Sequence, residues 1–453
     1  MALGSAQFKW ILIAVLLGGV STEVKAAQLL SASVVGNAEF LNRQVHPLQP
    51  RLDIAALDLN RQPEISVERT SSQAAMKAEA DRLLQQGIDA YTAGQYRIAL
   101  ERWQSSLDMY RELDDYLGEV LSIGNLGLAH YKLGDYPQSI DFHQQQLTIA
   151  RNLNDRLDEA YALNRLGFVY NKLDEHEQAI DFHQQSLAIT RELGDRLRES
   201  HALSGVADAY YDLGKYQQAT DFYQQSLAAK RDINDRNGEA NLLSTLGFTS
   251  EKLGEYEQAV DLYQQSLAIT RDLGNREVEG YILNDLGRVY KELGKYQQAI
   301  SAYQQKLVVT KELSDRAGEA NSLNDIGFVF SRLGEYRRAI GFHQQSLAMA
   351  RELGDRSGEA LSLNGIGIVH YQLEDYPQAI DFYEQFLAIT EELGDRYNQA
   401  HALRNIGLVY DRQGEYQQAI DFYEQSFAII EELGEHDKKD TLAREIEQAY
   451  SRL

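Results

Sequence analysis

Apolar positions recur at a helical spacing along most of this chain, and the recurrence itself repeats every 40 residues. Leu283, Leu286, Gly287 and Tyr290 stand at i, i+3, i+4 and i+7, one face of an α-helix. Ala299, Ile300, Tyr303 and Leu307 mark a second helix after a short turn. Residues 181–196 and 341–356 lie four steps apart and are identical at 13 of 16 positions. A fixed step of roughly 20–50 residues is the signature of a repeat array, in which each unit covers its apolar faces only by stacking on its neighbours.

The turns fix the boundaries. Tripeptides such as Gly134-Asp135-Tyr136, Gly294-Lys295-Tyr296 and Gly414-Glu415-Tyr416 recur nine times, which predicts nine helix-turn-helix units over 74–437 (77–116, 117–156, 157–196, 197–236, 237–276, 277–316, 317–356, 357–396 and 397–436). Gly294 fits the position after the first helix, where a positive φ suits Gly. Pro137 and Pro377 fit the opening of second helices. Asp195, Asn275, Asp355 and Asp395 are placed to cap the first helix that follows each of them. A glycine inside most first helices, Gly167 or Gly287 for example, predicts a close approach of the two helices, with Ala179 or Ala299 facing it, and Ala207 in the fourth unit shows that a methyl can fit. Residues 438–453 read as a capping helix with a stripe of Leu442, Ile446 and Tyr450.

Ahead of the array, 1–27 reads as a secretory signal peptide. Lys9 precedes an apolar run, Trp10–Val20, of 11 residues, and Val24-Lys25-Ala26 offers a cleavage site before Ala27. That run is shorter than the ~20 apolar residues needed to span a bilayer. The expected location is therefore exported, periplasmic or extracellular, with the membrane met only through the export signal. Residues 28–73 carry three of the five Pro and no sustained period, and read as a flexible N-terminal segment.

The pattern Leu163-x2-Leu166-Gly167-x2-Tyr170, followed by Ala179-x3-His183, resembles the tetratricopeptide repeat (TPR). The 40-residue step is similar to the long repeats of kinesin light chain and rapsyn-like scaffolds. Arg191, Arg271 and Arg351 stand where the family has its closing Pro, so the second helix can run on. The phrasing also resembles cyanobacterial TPR arrays, often fused to caspase-like CHAT proteases. The resemblance implies an all-α fold: a right-handed superhelical solenoid of nine repeats plus the capping helix. It also implies a concave groove, lined by the first helices, that takes a protein or peptide.

Composition narrows the rest. There are 44 basic and 68 acidic side chains, a formal charge of −24, which argues against a nucleic-acid partner. No Cys is present, so thiolate chemistry and disulfides are excluded. No phosphate-binding glycine loop, zinc-protease helix or nucleophile elbow occurs, so no catalytic, cofactor or metal residue is expected and the chain does not read as an enzyme. His143, His183 and His343 replace the Tyr of other units. Equivalent residues one repeat apart are separated by about 8–10 Å, too far to share a metal. They read as packing residues, and the many carboxylates read as a solvated face.

The rows expected to face the groove differ from this acidic average, with nine basic and seven acidic residues. Asn125, Asn164, Asn284, Asn324, Asn364 and Asn405 form a ladder able to donate to and accept from an extended backbone. Arg165 and Arg288 add charge, and Phe168, Phe248 and Phe328 recur in alternate units as anchors. The five-residue pattern by which chaperone-binding repeats hold an acidic C-terminus is not matched. The expected role is an exported, non-catalytic scaffold for an extended peptide segment of a partner. The alternative is a stand-alone regulatory partner of a CHAT-type protease or signalling protein.

Overall fold

The structure, a computed structural model, describes residues 71–453. The expected signal peptide, its cleavage site and nearly all of the 28–73 segment lie outside the described residues. Helices run α1 (Ser71–Thr92), α2 (Tyr96–Glu112), α3 (Tyr116–Lys132), α4 (Tyr136–Asn152), α5 (Arg156–Lys172), α6 (His176–Leu193), α7 (Arg196–Asp212), α8 (Tyr216–Asp232), α9 (Arg236–Lys252) and α10 (Tyr256–Asp272). They continue as α11 (Arg276–Glu292), α12 (Tyr296–Glu312), α13 (Arg316–Arg332), α14 (Tyr336–Leu353), α15 (Arg356–Gln372), α16 (Tyr376–Leu393), α17 (Arg396–Gln413), α18 (Tyr416–Glu432) and α19 (His436–Tyr450). These 19 helices make nine hairpins and a last single helix, and no strand occurs among the described residues. None is long and apolar enough to cross a membrane.

The contacts divide the chain into two compact units, one ending at Leu262 and the other starting at Tyr263, within α10. In each unit the helices pack in sequence order, and alternate first helices, α5 with α7 and α13 with α15, also touch. This is the solenoid the period implies. Most helices are 17 residues long and most links three, which produces the step of 40.

The links work as the sequence implies. Asp195, Asn275, Asp355 and Asp395 each accept the backbone N–H three residues on, and Asp115, Asp155, Asp235 and Asp315 do the same. Ala99, Ala179, Ala219, Ala299, Ala339, Ala379 and Ala419 are fully buried at the hairpin crossings. The space over the mid-helix glycines is occupied differently from the expectation. A Cβ on Gly167 would meet the His183 ring at 2.6 Å, and one on Gly287 the Tyr303 ring at 2.5 Å. The ring one turn beyond the alanine stands nearest the glycine, and at Gly407 the Ala419 carbonyl oxygen follows at 3.2 Å.

The last helix also departs from the expected stripe. Leu442 and Ala449 are buried and Ile446 packs beside them, whereas Tyr450 is 53% exposed and donates its hydroxyl to Glu424 at 3.0 Å. The true face follows a spacing of seven from Leu442 to Ala449. The small alanine meets the preceding hairpin, and the tyrosine lies at its edge.

Candidate peptide-binding groove

Along each first helix one side is buried in its own hairpin, and the next positions round the helix are only half-buried. Asn164, Arg165 and Phe168 on α5, Asn284 and Arg288 on α11, and Asn364 and Ile368 on α15 occupy that rim, as do Arg404, Asn405 and Leu408 on α17. Phe248 on α9 and Phe328 on α13 are half-buried as well. Asn125 and Asn324 are buried, so these two rungs form floor rather than rim.

The asparagine ladder is partly spent inside the fold. The ring Nδ1 of His183 donates to Asn164 Oδ1 at 2.6 Å, and His343 does the same to Asn324 at 2.6 Å. Lys306 Nζ donates to Asn284 Oδ1 at 2.8 Å, and Asn405 Nδ2 to Asn364 Oδ1 at 3.1 Å. The expectation that each Asn offers both donor and acceptor is therefore corrected. In these four the carbonyl oxygen already has a partner, and the amide N–H₂ is the group left to bond a ligand. The physical reason is burial: a ring nitrogen or ammonium placed under the rim must be satisfied, and the nearest oxygen is the Asn.

The three phenylalanines make ring contacts within the array. Phe168 meets His183 edge-on at 4.8 Å, and Phe328 meets His343 likewise at 4.8 Å. Phe248 lies 5.9 Å from Tyr211, with Lys252 5.0 Å over its face. Arg288 pairs with Asp285 at 3.0 Å, whereas Arg165 stacks 4.5 Å over Tyr161. The His183 ring lies where Cβ atoms on Gly167 and Gly205 would stand, and His343 has the same relation to Gly327 and Gly365. Burial lowers the His343 pKa to about 4. Burial, with the Arg165 charge added, takes His143 to about 3. The His143 and His343 rings are neutral spacers at neutral pH, in keeping with a packing role.

A larger set of polar contacts was not foreseen. Glu159, Glu199, Glu239, Glu279 and Glu359 are buried near the starts of α5, α7, α9, α11 and α15. Each is held by two arginines, such as Arg271 and Arg276 on Glu279 at 2.7 and 2.6 Å. Burial pushes these carboxyls up, but the guanidinium bonds outweigh it and hold them below the usual range. The signal was present as an arginine eight residues before each Glu. Reading that arginine only as a missing Pro, and the acids only as solvated, concealed it.

An array of helical hairpins with a polar, half-exposed rim on its first helices belongs to the class of repeat scaffolds. The family model for the tetratricopeptide repeat matches residues 78–152, 158–232, 238–307, 316–392 and 358–432. This chain is a member of the tetratricopeptide repeat family. Among solved structures it is similar to a STAND signal-transduction ATPase with a tetratricopeptide repeat sensor from Pyrococcus horikoshii. The TM-score is 0.51 at 15% identity, over 76% of this chain and 55% of that one. It is also similar to the apo quorum sensor NprR from B. thuringiensis (TM-score 0.48, 14% identity, 79% and 99% covered). A third is a Podosopora anserina putative kinesin light chain with nearly identical TPR-like repeats (TM-score 0.39, 18% identity, 44% and 97% covered). No curated protein matches the chain.

Proposed function

We propose that the chain is an exported, non-catalytic scaffold that holds an extended peptide segment of a protein partner against its first helices. The observation that carries this reading is the half-buried rim, where the oxygens of Asn164, Asn284 and Asn364 are held in internal pairs while their N–H₂ groups are not, and where the Phe rings are fixed at their inner edges. Fixed aromatic faces and donors at repeat spacing suit a backbone lying along the array, because little side-chain entropy is lost on contact. Export rests on the sequence of 1–27 and places the partner outside the cytoplasm.

The test is site-specific photocrosslinking in a cell-envelope extract. A photoreactive phenylalanine analogue replaces Phe168, Phe248 or Phe328 in turn, a conservative change, and Gln224 on the exposed side of α8 serves as control. Adducts from the Phe positions and none from Gln224 support the groove. Adducts from Gln224 alone move binding to the second helices and sink the reading. N-terminal sequencing of the secreted protein tests export, with Ala27 as the expected first residue.

A further inference from the structure

The second helices of the C-terminal unit change sign halfway along it. α12 and α14 expose four basic and two acidic side chains, whereas α16 and α18 expose eight acidic and none basic. Arg337 and Arg338 open α14 where α16 has Pro377 and Gln378. Arg337 is exposed and forms no ion pair among the described residues. Some of the acids are answered inside the fold: Arg356 holds Glu392, Arg396 holds Glu432 and Lys439 holds Glu431. Asp381 and Glu384, on the exposed side of α16, have no cation among the described residues.

A second observation falls in the same place. Six second helices carry Asp at one exposed register, Asp141, Asp181, Asp221, Asp261, Asp381 and Asp421. α12 and α14 replace it by Ser301 and Gly341. A glycine inside a helix costs stability relative to Ala. A Cβ on Gly341 would meet nothing within 4 Å, so no neighbour in the chain needs the space. Val308 on α12 is 54% exposed, where most second helices have Ala. The strip over α12 and α14 is thus stripped of its acids, bordered by cations and open to close approach of another backbone.

We propose that the chain pairs with a second copy of itself through these faces, α14 lying on α16 of the other copy and α12 on its α18. A two-fold axis between α14 and α16, parallel to both, makes the two contacts at once and at equal register. Gly341 then faces Asp381 of the second copy, with Arg337 and Arg338 one turn away. Ser301 faces Asp421, Val308 faces Ala428, and Lys295 in the turn before α12 faces Glu415 in the turn before α18. Another partner would have to carry the reverse of this pattern, and the chain already carries it. Four helices of 17 or 18 residues, each about 25 Å long and about 10 Å wide, offer roughly 1,000 Å² per copy. A stable interface needs about 800 Å² per partner. The formal charge of −24 opposes approach, but that repulsion is screened beyond about 8 Å at physiological ionic strength, so the facing pairs decide. The contact uses second helices only and does not depend on the peptide reading.

The test is sedimentation velocity on the full chain at physiological ionic strength, with two charge-reversed variants. Arg337→Glu/Gly341→Asp makes both faces acidic, and Asp381→Lys/Glu384→Lys makes both basic. The wild type should be a dimer, and each variant should dissociate with at least tenfold lower affinity while keeping its circular dichroism. An equimolar mixture of the two variants should form a one-to-one dimer, because both contacts of that pair are again of opposite sign. Gly341→Asp alone, which restores the residue of six other second helices, should weaken the dimer without lowering the melting temperature. The chain has no Cys, so an engineered pair reports independently of charge. Gly341→Cys mixed with Asp381→Cys should form the unlike disulfide on mild oxidation in preference to either like one. A monomeric wild type would overturn the proposal. So would dimers that persist in both variants, a mixture of variants that stays monomeric, or like disulfides in excess over the unlike one.

Discussion

Arg191 on α6 donates through Nε to Oε1 of Glu199 on α7 at 2.9 Å, across the link between two repeats, and Arg196 takes the other carboxylate oxygen at 2.8 Å. Arg196 then reaches Asp232 at the end of α8 at 2.8 Å. The set recurs within each unit. Arg156 joins Glu159 to Glu192, Arg276 joins Glu279 to Glu312, and Arg356 joins Glu359 to Glu392. Where an arginine stands eight residues before the Glu, the repeat is thereby tied to the one before it by a charge-assisted bond.

Glu279→Gln tests how much that tie contributes. The carboxylate is buried while its arginines are half-exposed, so both guanidinium groups can return to water once the charge is gone. The expected loss is about 1–2 kcal/mol, read as a lower urea midpoint. The five carboxyls of this set have folded pKa values below the unfolded value of 4.5. Their contribution is complete above that value and disappears as pH falls through the lower folded pKa. The wild type should thus lose more stability than Glu279→Gln on going from pH 5 to pH 3. Parallel acid curves for the two proteins would show that the pair is energetically silent.

The last repeat offers a natural reversal. Glu391 stands where the preceding repeats have Arg or, at Lys311, Lys, and Gln399 where they have Glu, and the two meet at 3.2 Å through the Gln Nε2. Arg396 still donates to Gln399 Oε1 at 2.8 Å. Gln399→Glu alone sets two carboxylates against one another and should destabilise the C-terminal end. The double variant Glu391→Arg/Gln399→Glu should recover that loss and exceed the wild type by about 1 kcal/mol. A double-mutant cycle in urea measures the coupling, and strictly additive effects would count against it.

The fold was legible in the sequence because its information is local and repeated. The positions of Leu163, Leu166, Gly167 and Tyr170 specify one helix face, and the same pattern eight more times leaves little else for the chain to do. Caps such as Asp195 were legible for the same reason. The candidate groove was legible in position but not in chemistry. That Asn164 and Asn324 spend their oxygens on His183 and His343 depends on contacts 19 residues apart, which no local pattern encodes. Arg165 and Arg288 look alike in sequence, yet one is paired with an acid three residues earlier and the other is not. The difference lies in Asp285 against Ala162 at that spacing, a detail visible only once the groove face was known to matter.

His343 supplies a test in the pH range above that of the carboxylates. Its pKa is lowered from 6.5 to about 4 by burial. An unfolded chain binds the proton from about pH 6.5 downward, whereas the folded chain does not until about pH 4. Stability from this group is therefore complete above 6.5 and is lost as pH falls toward 4. The His343 ring resonance should remain in its neutral position at pH 5.5, where an exposed histidine is largely protonated. Titration near 6.5 by NMR would mean that the ring opens to solvent.

Glu374 occupies the left-handed region at φ 59°, at the turn position where Gly134, Gly214, Gly294 and Gly334 stand in other repeats. An L-residue with a Cβ is strained there, by about 1 kcal/mol relative to Gly. Its side chain is exposed, so replacement sacrifices no packing. Glu374→Gly should therefore raise the urea midpoint of the C-terminal unit, and Ser314→Gly, at φ 57°, should do so by a similar amount. The entropy that Gly adds to the unfolded chain works against the gain, so the net effect is the smaller part of the strain. Gly354→Ala provides the opposite sign in the same unit, since it introduces a methyl at φ 68° with open space around it. If Glu374→Gly and Gly354→Ala shifted the midpoint in the same direction, backbone strain would not be what separates them.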